Sequence, residues 1–181
     1  YRFFDNRSVT PEKLLEPHRA ATTARAREHS VVLAVQDTTE LDYTSHPPRA
    51  AQCLNLENRF GFYDHVHLAV TPEQLCLGVL GSEQFDRAPE SLGKSEERST
   101  LPIEDKESLR WLTGYRLACQ LAADCPDTQV VSVADREADI YDIFVEAQRH
   151  TGPKADFIVR SRVDRCLTTR DPASGPAVYC K

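Results

Sequence analysis

Residues 130–141 read Val130-Val131-Ser132-Val133-Ala134-Asp135-Arg136-Glu137-Ala138-Asp139-Ile140-Tyr141, a short apolar run that stops abruptly on a dense charged turn. β-Branched and small residues ending in Asp, with a helix-like segment directly after, place one carboxylate at the carboxyl end of a buried strand. Open α/β sheets bind their ligands at such ends. A strand ending in Asp is common in α/β proteins, so Asp135 needs a partner acid before it points to chemistry.

Upstream, Val31-Val32-Leu33-Ala34-Val35 is a second apolar run of strand length, and it stops at Gln36-Asp37. Its unbroken apolar character suits the centre of a sheet covered on both faces. Asp37 therefore repeats the arrangement of Asp135; the plainer reading is a hydrogen-bonded Asp-Thr turn. Thr10-Pro11-Glu12 opens a helix with a capping side chain and an N-terminal Pro, and Pro17 is expected to open a second helical piece to about Arg27. His18 in that piece is read as a hydrogen-bonded structural residue. Residues 43–62 read as a long loop.

Asp64 to Val70 alternates, Thr71-Pro72-Glu73-Gln74 turns, and Leu75 to Leu80 is apolar, which predicts a β-hairpin. His65 and His67 share one face of it. That spacing suits a metal, but the part-exposed face of an edge hairpin explains the pair with fewer assumptions. Residues 82–102 read as an acidic excursion. A charged helix starts at Ile103 and becomes amphipathic through Leu109, Trp111, Leu112, Tyr115, Leu117 and Leu121, until Pro126 ends it. A further helix spans 139–150, Thr151-Gly152-Pro153 stops it, and Phe157 to Ser161 forms a last strand.

The order is strand, hairpin, helix, strand, helix, strand: an α/β, ribonuclease H-like mixed sheet with flanking helices, incomplete at its C-terminal side. In that order the first and fourth strands are neighbours, so two acids 98 residues apart in sequence meet in space. Paired carboxylates hold hard divalent cations and suit phosphoryl displacement. Glycoside hydrolysis would need a sugar cleft lined by aromatics, and at 8% aromatic content no Trp or Tyr cluster lies near either acid.

The 181 residues fit one domain, divided into a helical entry segment (1–30), a core (31–165) and a linker-like tail (166–181). Because it begins at Tyr1 and ends in that tail, the chain is expected to be a fragment. No apolar run is long enough for a membrane helix, and the six cysteines lack any C-x-x-C pair, so free thiols in a reducing cytoplasm are expected. A net charge of −6 argues against nucleic-acid wrapping by bulk electrostatics. Arg160, Arg162, Arg165 and Arg170 nonetheless gather near the last strand, as a DNA-backbone edge or as a solvated charged face.

Four segments together, Gln36-Asp37-Thr38-Thr39-Glu40-Leu41, Asp105-Lys106-Glu107-Ser108-Leu109-Arg110-Trp111-Leu112, Asp135 to Tyr141, and Phe157-Ile158-Val159-Arg160-Ser161-Arg162, resemble in order the catalytic domain of bacterial insertion-sequence DDE transposases, the group allied to that of transposon Tn-five. The resemblance runs from about Pro11 to Arg165. It implies a ribonuclease H-like fold that binds Mg²⁺ or Mn²⁺, nicks DNA at transposon ends and joins the 3′ hydroxyl to target DNA. Asp37 matches the family's first catalytic Asp and metal ligand, and Asp135 its second.

The family's third carboxylate is a Glu on a later helix, and the chain is expected to stop before it, as it stops before the dimerisation helices that make the full-length protein a homodimer. Two acids alone are expected to support little turnover. The alternative is a non-catalytic truncated remnant that at most contacts DNA or a transposase protomer. The resemblance implies a cytoplasmic protein, associated with the nucleoid when bound to DNA.

Overall fold

The computed structural model describes residues 2–54, 58–86 and 101–162, a mixed α/β architecture with six strands in one open mixed sheet and three helices. Arg165, Arg170, Cys166, Cys180 and the tail expected at 166–181 lie outside the described residues. The elements are α1 (Pro11–Ala26), β1 (Val31–Asp42), β2 (Gln52–Cys53), β3 (Phe60–Val70), β4 (Cys76–Phe85), α2 (Leu109–Asp124), β5 (Gln129–Ala134), α3 (Tyr141–Arg149) and β6 (Asp156–Val159). The sheet order is β2-β3-β1-β5-β6, and β4 also pairs with β3. β1 is antiparallel to β3 and parallel to β5, and β5 is parallel to β6.

β1 runs further than its apolar run. Residues Gln36 to Asp42 stay extended because β3 pairs with them as far as Asp42↔Gly61. At the far end Arg59 bridges Glu40 and Asp42 at 3.0 and 2.9 Å. The Thr44 hydroxyl and backbone N–H, with Arg59, hold the Asp42 carboxyl down at about 2. Asp37 thus lies inside a strand, which corrects its expected place at a strand end. β4 likewise continues through Phe85, so Ser82 to Phe85 belong to the sheet and not to an excursion. Within the expected loop at 43–62, Gln52–Cys53 form β2 against Phe60 and Gly61.

α1 is one helix with Pro17 inside it, not two pieces. Thr10 caps it by accepting from the Lys13 N–H. Pro17 removes one helical hydrogen bond, but the turns after it are anchored on β4. His18 Nε2 accepts from the Val79 N–H at 3.1 Å, and Arg25 Nε donates to the Leu77 carbonyl at 2.6 Å. These bonds occupy backbone groups of β4, which masks a strand edge that would otherwise be open to pairing. Gly78 sits at the contact with φ +140, and a Cβ there would strike the Thr22 hydroxyl.

α2 begins at Leu109, because Ile103–Asp105 form a separate 3₁₀ turn. Its buried apolar side chains, Trp111, Leu112, Tyr115, Ala118, Cys119, Leu121 and Ala122, follow helical spacing and join Val32, Ala34, Ala69, Leu80, Val130 and Ile143 in one core. α2 rests close on the sheet at Gly114, where a Cβ would collide with Gln36 Oε1. The register sends Gln36, Thr38, His65, His67, Ala69, Ser132 and Phe157 to this face. α1 meets Gly78 on it, and Phe144 of α3 meets Phe157 on it.

All three helices therefore lie on one side of the sheet. The other side carries Leu33, Val35, Phe62, Val66, Leu68, Val70 and Val133, each half-buried, and no described helix covers it. At the β6 end the Tyr115 hydroxyl donates to the Ala155 carbonyl at 3.0 Å, with both residues buried. Tyr115→Phe strands that carbonyl and is expected to cost about 1–3 kcal/mol in urea unfolding; a variant as stable as the parent would contradict it. No described helix is long and apolar enough to cross a membrane.

Candidate functional site: paired strand acids over a buried polar network

The parallel ladder between β1 and β5 ends at Gln36↔Ala134. The next residues along the two strand paths are Asp37 and Asp135, and neighbouring strands run about 4.8 Å apart. Asp135 keeps extended dihedrals, φ −77 and ψ −171, so the alternation continues through it. Gln36 and Ala134 point to the helices, which turns Asp37 and Asp135 together toward the uncovered face. Asp37 is exposed and Asp135 half-buried. Asp37 Oδ1 accepts from the Thr38 N–H and Asp135 Oδ1 from the Glu137 N–H, both at 2.8 Å. The bond to Glu137 caps the 3₁₀ turn Arg136–Ala138 that follows β5.

Beneath the pair, on the helix side, lies a buried polar network. Thr38 Oγ1 is 2.8 Å from His65 Nδ1, His65 Nε2 is 3.2 Å from Gln36 Oε1, and Gln36 Nε2 donates to the Ser132 hydroxyl at 3.3 Å. Trp111 meets His65 edge-on, with ring centroids 4.5 Å apart. His65 is 0% and His67 4% exposed. This corrects the expectation of a part-exposed edge face, because β3 is interior, flanked by β1 and by β2 and β4.

Burial pushes the His65 imidazole down to about 3, helped by the charge of a protonated His67 and of Arg110. Burial likewise takes His67 down to about 4, against a smaller upward pull from Asp64. His67 Nδ1 has no hydrogen-bond partner among the described residues. No carboxylate or thiol joins the two imidazoles there: no group of three or more His, Cys, Asp or Glu able to hold a metal occurs among the described residues.

Arg110 closes the network. It is 6% exposed, and Glu107 and Glu137 supply its carboxylates at 3.8 and 3.3 Å. Its guanidinium lies 4.8 Å from the Phe85 ring centroid. A cavity of about 260 Å³ opens beside it, lined by Lys106, Ser108, Arg110, Trp111, Glu137 and Arg162. Arg162 is drawn to this rim because its backbone N–H donates to Asp139 Oδ2 at 2.8 Å. Arg160 is exposed, its N–H bonded to the Ala134 carbonyl.

The structure thus brings Asp37 and Asp135 together and sets Arg162 on the adjoining cavity. The reading of residues missed what Thr38, Gln36, Arg110 and Glu137 do. A signal for Arg110 existed: it stands on the stripe that continues through Gly114, Ala118 and Leu121, where an apolar residue would be expected. Cys76, Cys119 and Cys125 are free thiols.

Together these features define an open mixed-sheet α/β protein with one carboxylate inside β1 and a second directly after the adjacent parallel strand β5. No protein-family model matches the chain. The pair fits a hard divalent cation: both donors are oxygens, each carboxylate is oriented through Oδ1 by a backbone N–H, and no donor meets either Oδ2 among the described residues.

Proposed function

We propose that the chain belongs to a ribonuclease H-like catalytic core of a DDE transposase, acting on DNA phosphodiesters at transposon ends and at the target. The observation that carries this reading is the β1–β5 register, which sets Asp37 beside Asp135 from positions 98 residues apart. The four-segment resemblance supports it, and so does the strand order, with all three helices on one side. Asp37 and Asp135 would hold Mg²⁺ or Mn²⁺, which supplies charge neutralisation at the scissile phosphate and lowers the pKa of the attacking group. Their backbone N–H partners orient the two carboxylates, the buried network keeps β1 rigid beneath them, and Arg162 and Arg160 offer cations to the DNA backbone. In this reading a third carboxylate comes from a helix laid on the uncovered face toward which both acids point.

The test is Asp37→Asn in the full-length parent, assayed for Mg²⁺-dependent strand cleavage. The expected loss exceeds the ~10–100-fold typical of groups that only orient a metal ligand; wild-type cleavage would sink the assignment. A second reading is a non-catalytic remnant that binds DNA or a transposase protomer; among the described residues no group of three or more His, Cys, Asp or Glu is placed to hold a metal. A full-length parent that folds yet never cuts DNA would favour it.

A further inference from the structure

Asp37 and Asp135 are held alike, and one guanidinium stands behind both. The N–H on Asp37 belongs to Thr38, whose hydroxyl accepts from Arg110 Nε at 3.2 Å. The N–H on Asp135 belongs to Glu137, whose carboxylate accepts from Arg110 Nη2 at 3.3 Å. The third arm, Nη1, donates to the Glu107 carbonyl at 2.7 Å and ties the fork to the start of α2. We propose that Arg110 is the positioning residue of the acidic pair, its fork fixing how strand β1 and the turn after β5 present Asp37 and Asp135 to one divalent cation. The inference rests on the cation-site reading above.

Two features favour positioning over a purely structural role. The β1–β5 ladder ends one residue short of the acids, at Gln36↔Ala134, so neither Asp is itself a paired position between these two strands. Arg110 spans that gap from the helix side with a planar fork, which a lysine ammonium cannot reproduce. The sign of the effect also separates the explanations. A positive charge beside a cation site weakens it through its field, so removing the charge should tighten binding if field alone matters. Loss of positioning should do the reverse.

The experiment measures Mn²⁺ affinity of the full 181-residue chain by electron paramagnetic resonance of free Mn²⁺, at a temperature where circular dichroism shows each variant folded. R110Q and R110K are both expected to bind about tenfold or more weakly than the parent, with R110K no better than R110Q. T38V, which keeps the arginine and removes one of its acceptors, should weaken binding in the same direction and decides the matter if the Arg110 variants do not fold. D37N should abolish binding. Mn²⁺ binding that D37N abolishes while the Arg110 variants and T38V leave it unchanged or tighter overturns the positioning role alone. No Mn²⁺ bound by the parent, or binding indifferent to D37N, overturns the cation-site reading and the inference with it.

Discussion

Replacing Trp111 by alanine is expected to cost about 3–5 kcal/mol of folding stability, the range for emptying a fully buried aromatic site. Trp111 is 1% exposed, packs edge-on against His65, and lines the cavity beside Arg110. The space cannot close by collapse, because α2 already touches the sheet at Gly114. Urea unfolding followed by far-ultraviolet circular dichroism measures the cost, since the variant has lost the chain's single Trp. A loss below about 1 kcal/mol would show that the site repacks, well under the usual cost of an emptied aromatic site.

The second large effect is acid sensitivity above the carboxylate range. His65 and His67 are buried neutral, with folded values of about 3 and 4 against 6.5 when free. Below pH 6.5 the unfolded chain takes up protons on both rings while the folded chain does not. Their contribution is therefore complete above about pH 6.5 and is lost as pH falls toward 4, at a limiting slope of about 1.4 kcal/mol per pH unit per ring. Between pH 6.5 and 4.5 stability should drop by several kcal/mol, before most carboxylates titrate. Urea unfolding at pH 7.0, 5.5 and 4.5, read by Trp111 fluorescence, measures it, and a double variant, H65N with H67Q, should flatten the slope. Equal stability of the parent at pH 7.0 and 4.5 would rule this out.

The strands around the acids were legible because their apolar runs are uninterrupted: Val31 to Val35 and Val130 to Ala134 reappear inside β1 and β5. Helix α2 was legible from its apolar spacing. What failed was any feature set by a partner in space. Asp37 looked terminal because the apolar run stops there, yet β3 carries the strand onward through backbone bonds that ignore side-chain polarity. His65 and His67 looked exposed because polar residues in an alternating strand usually face water. Here α2 brings Trp111 down on them, and Thr38 and Gln36 supply hydrogen bonds, while Val66 and Leu68 take the uncovered side. Pro17 looked like a breaker because nothing local reveals that His18 and Arg25 are fastened to β4. Of the site, the nearness of Asp37 and Asp135 was readable from two apolar runs each followed by an Asp, whereas the contacts of Arg110 behind them depend on distances that no spacing encodes.

The split pairing of β1 also bears on synthesis. Its antiparallel partner is near in sequence, with β3 ending at Val70, whereas its parallel partner begins only at Gln129. On a ribosome adding about 5–20 residues per second, the β1–β3–β4 unit is complete several seconds before β5 emerges. Throughout that interval the second edge of β1, at Val31 to Gln36, offers bare backbone donors and acceptors to any neighbouring nascent chain. A strand destined for the middle of the sheet is thus born as an edge, and dense polysomes are where this chain meets its greatest hazard of mispairing.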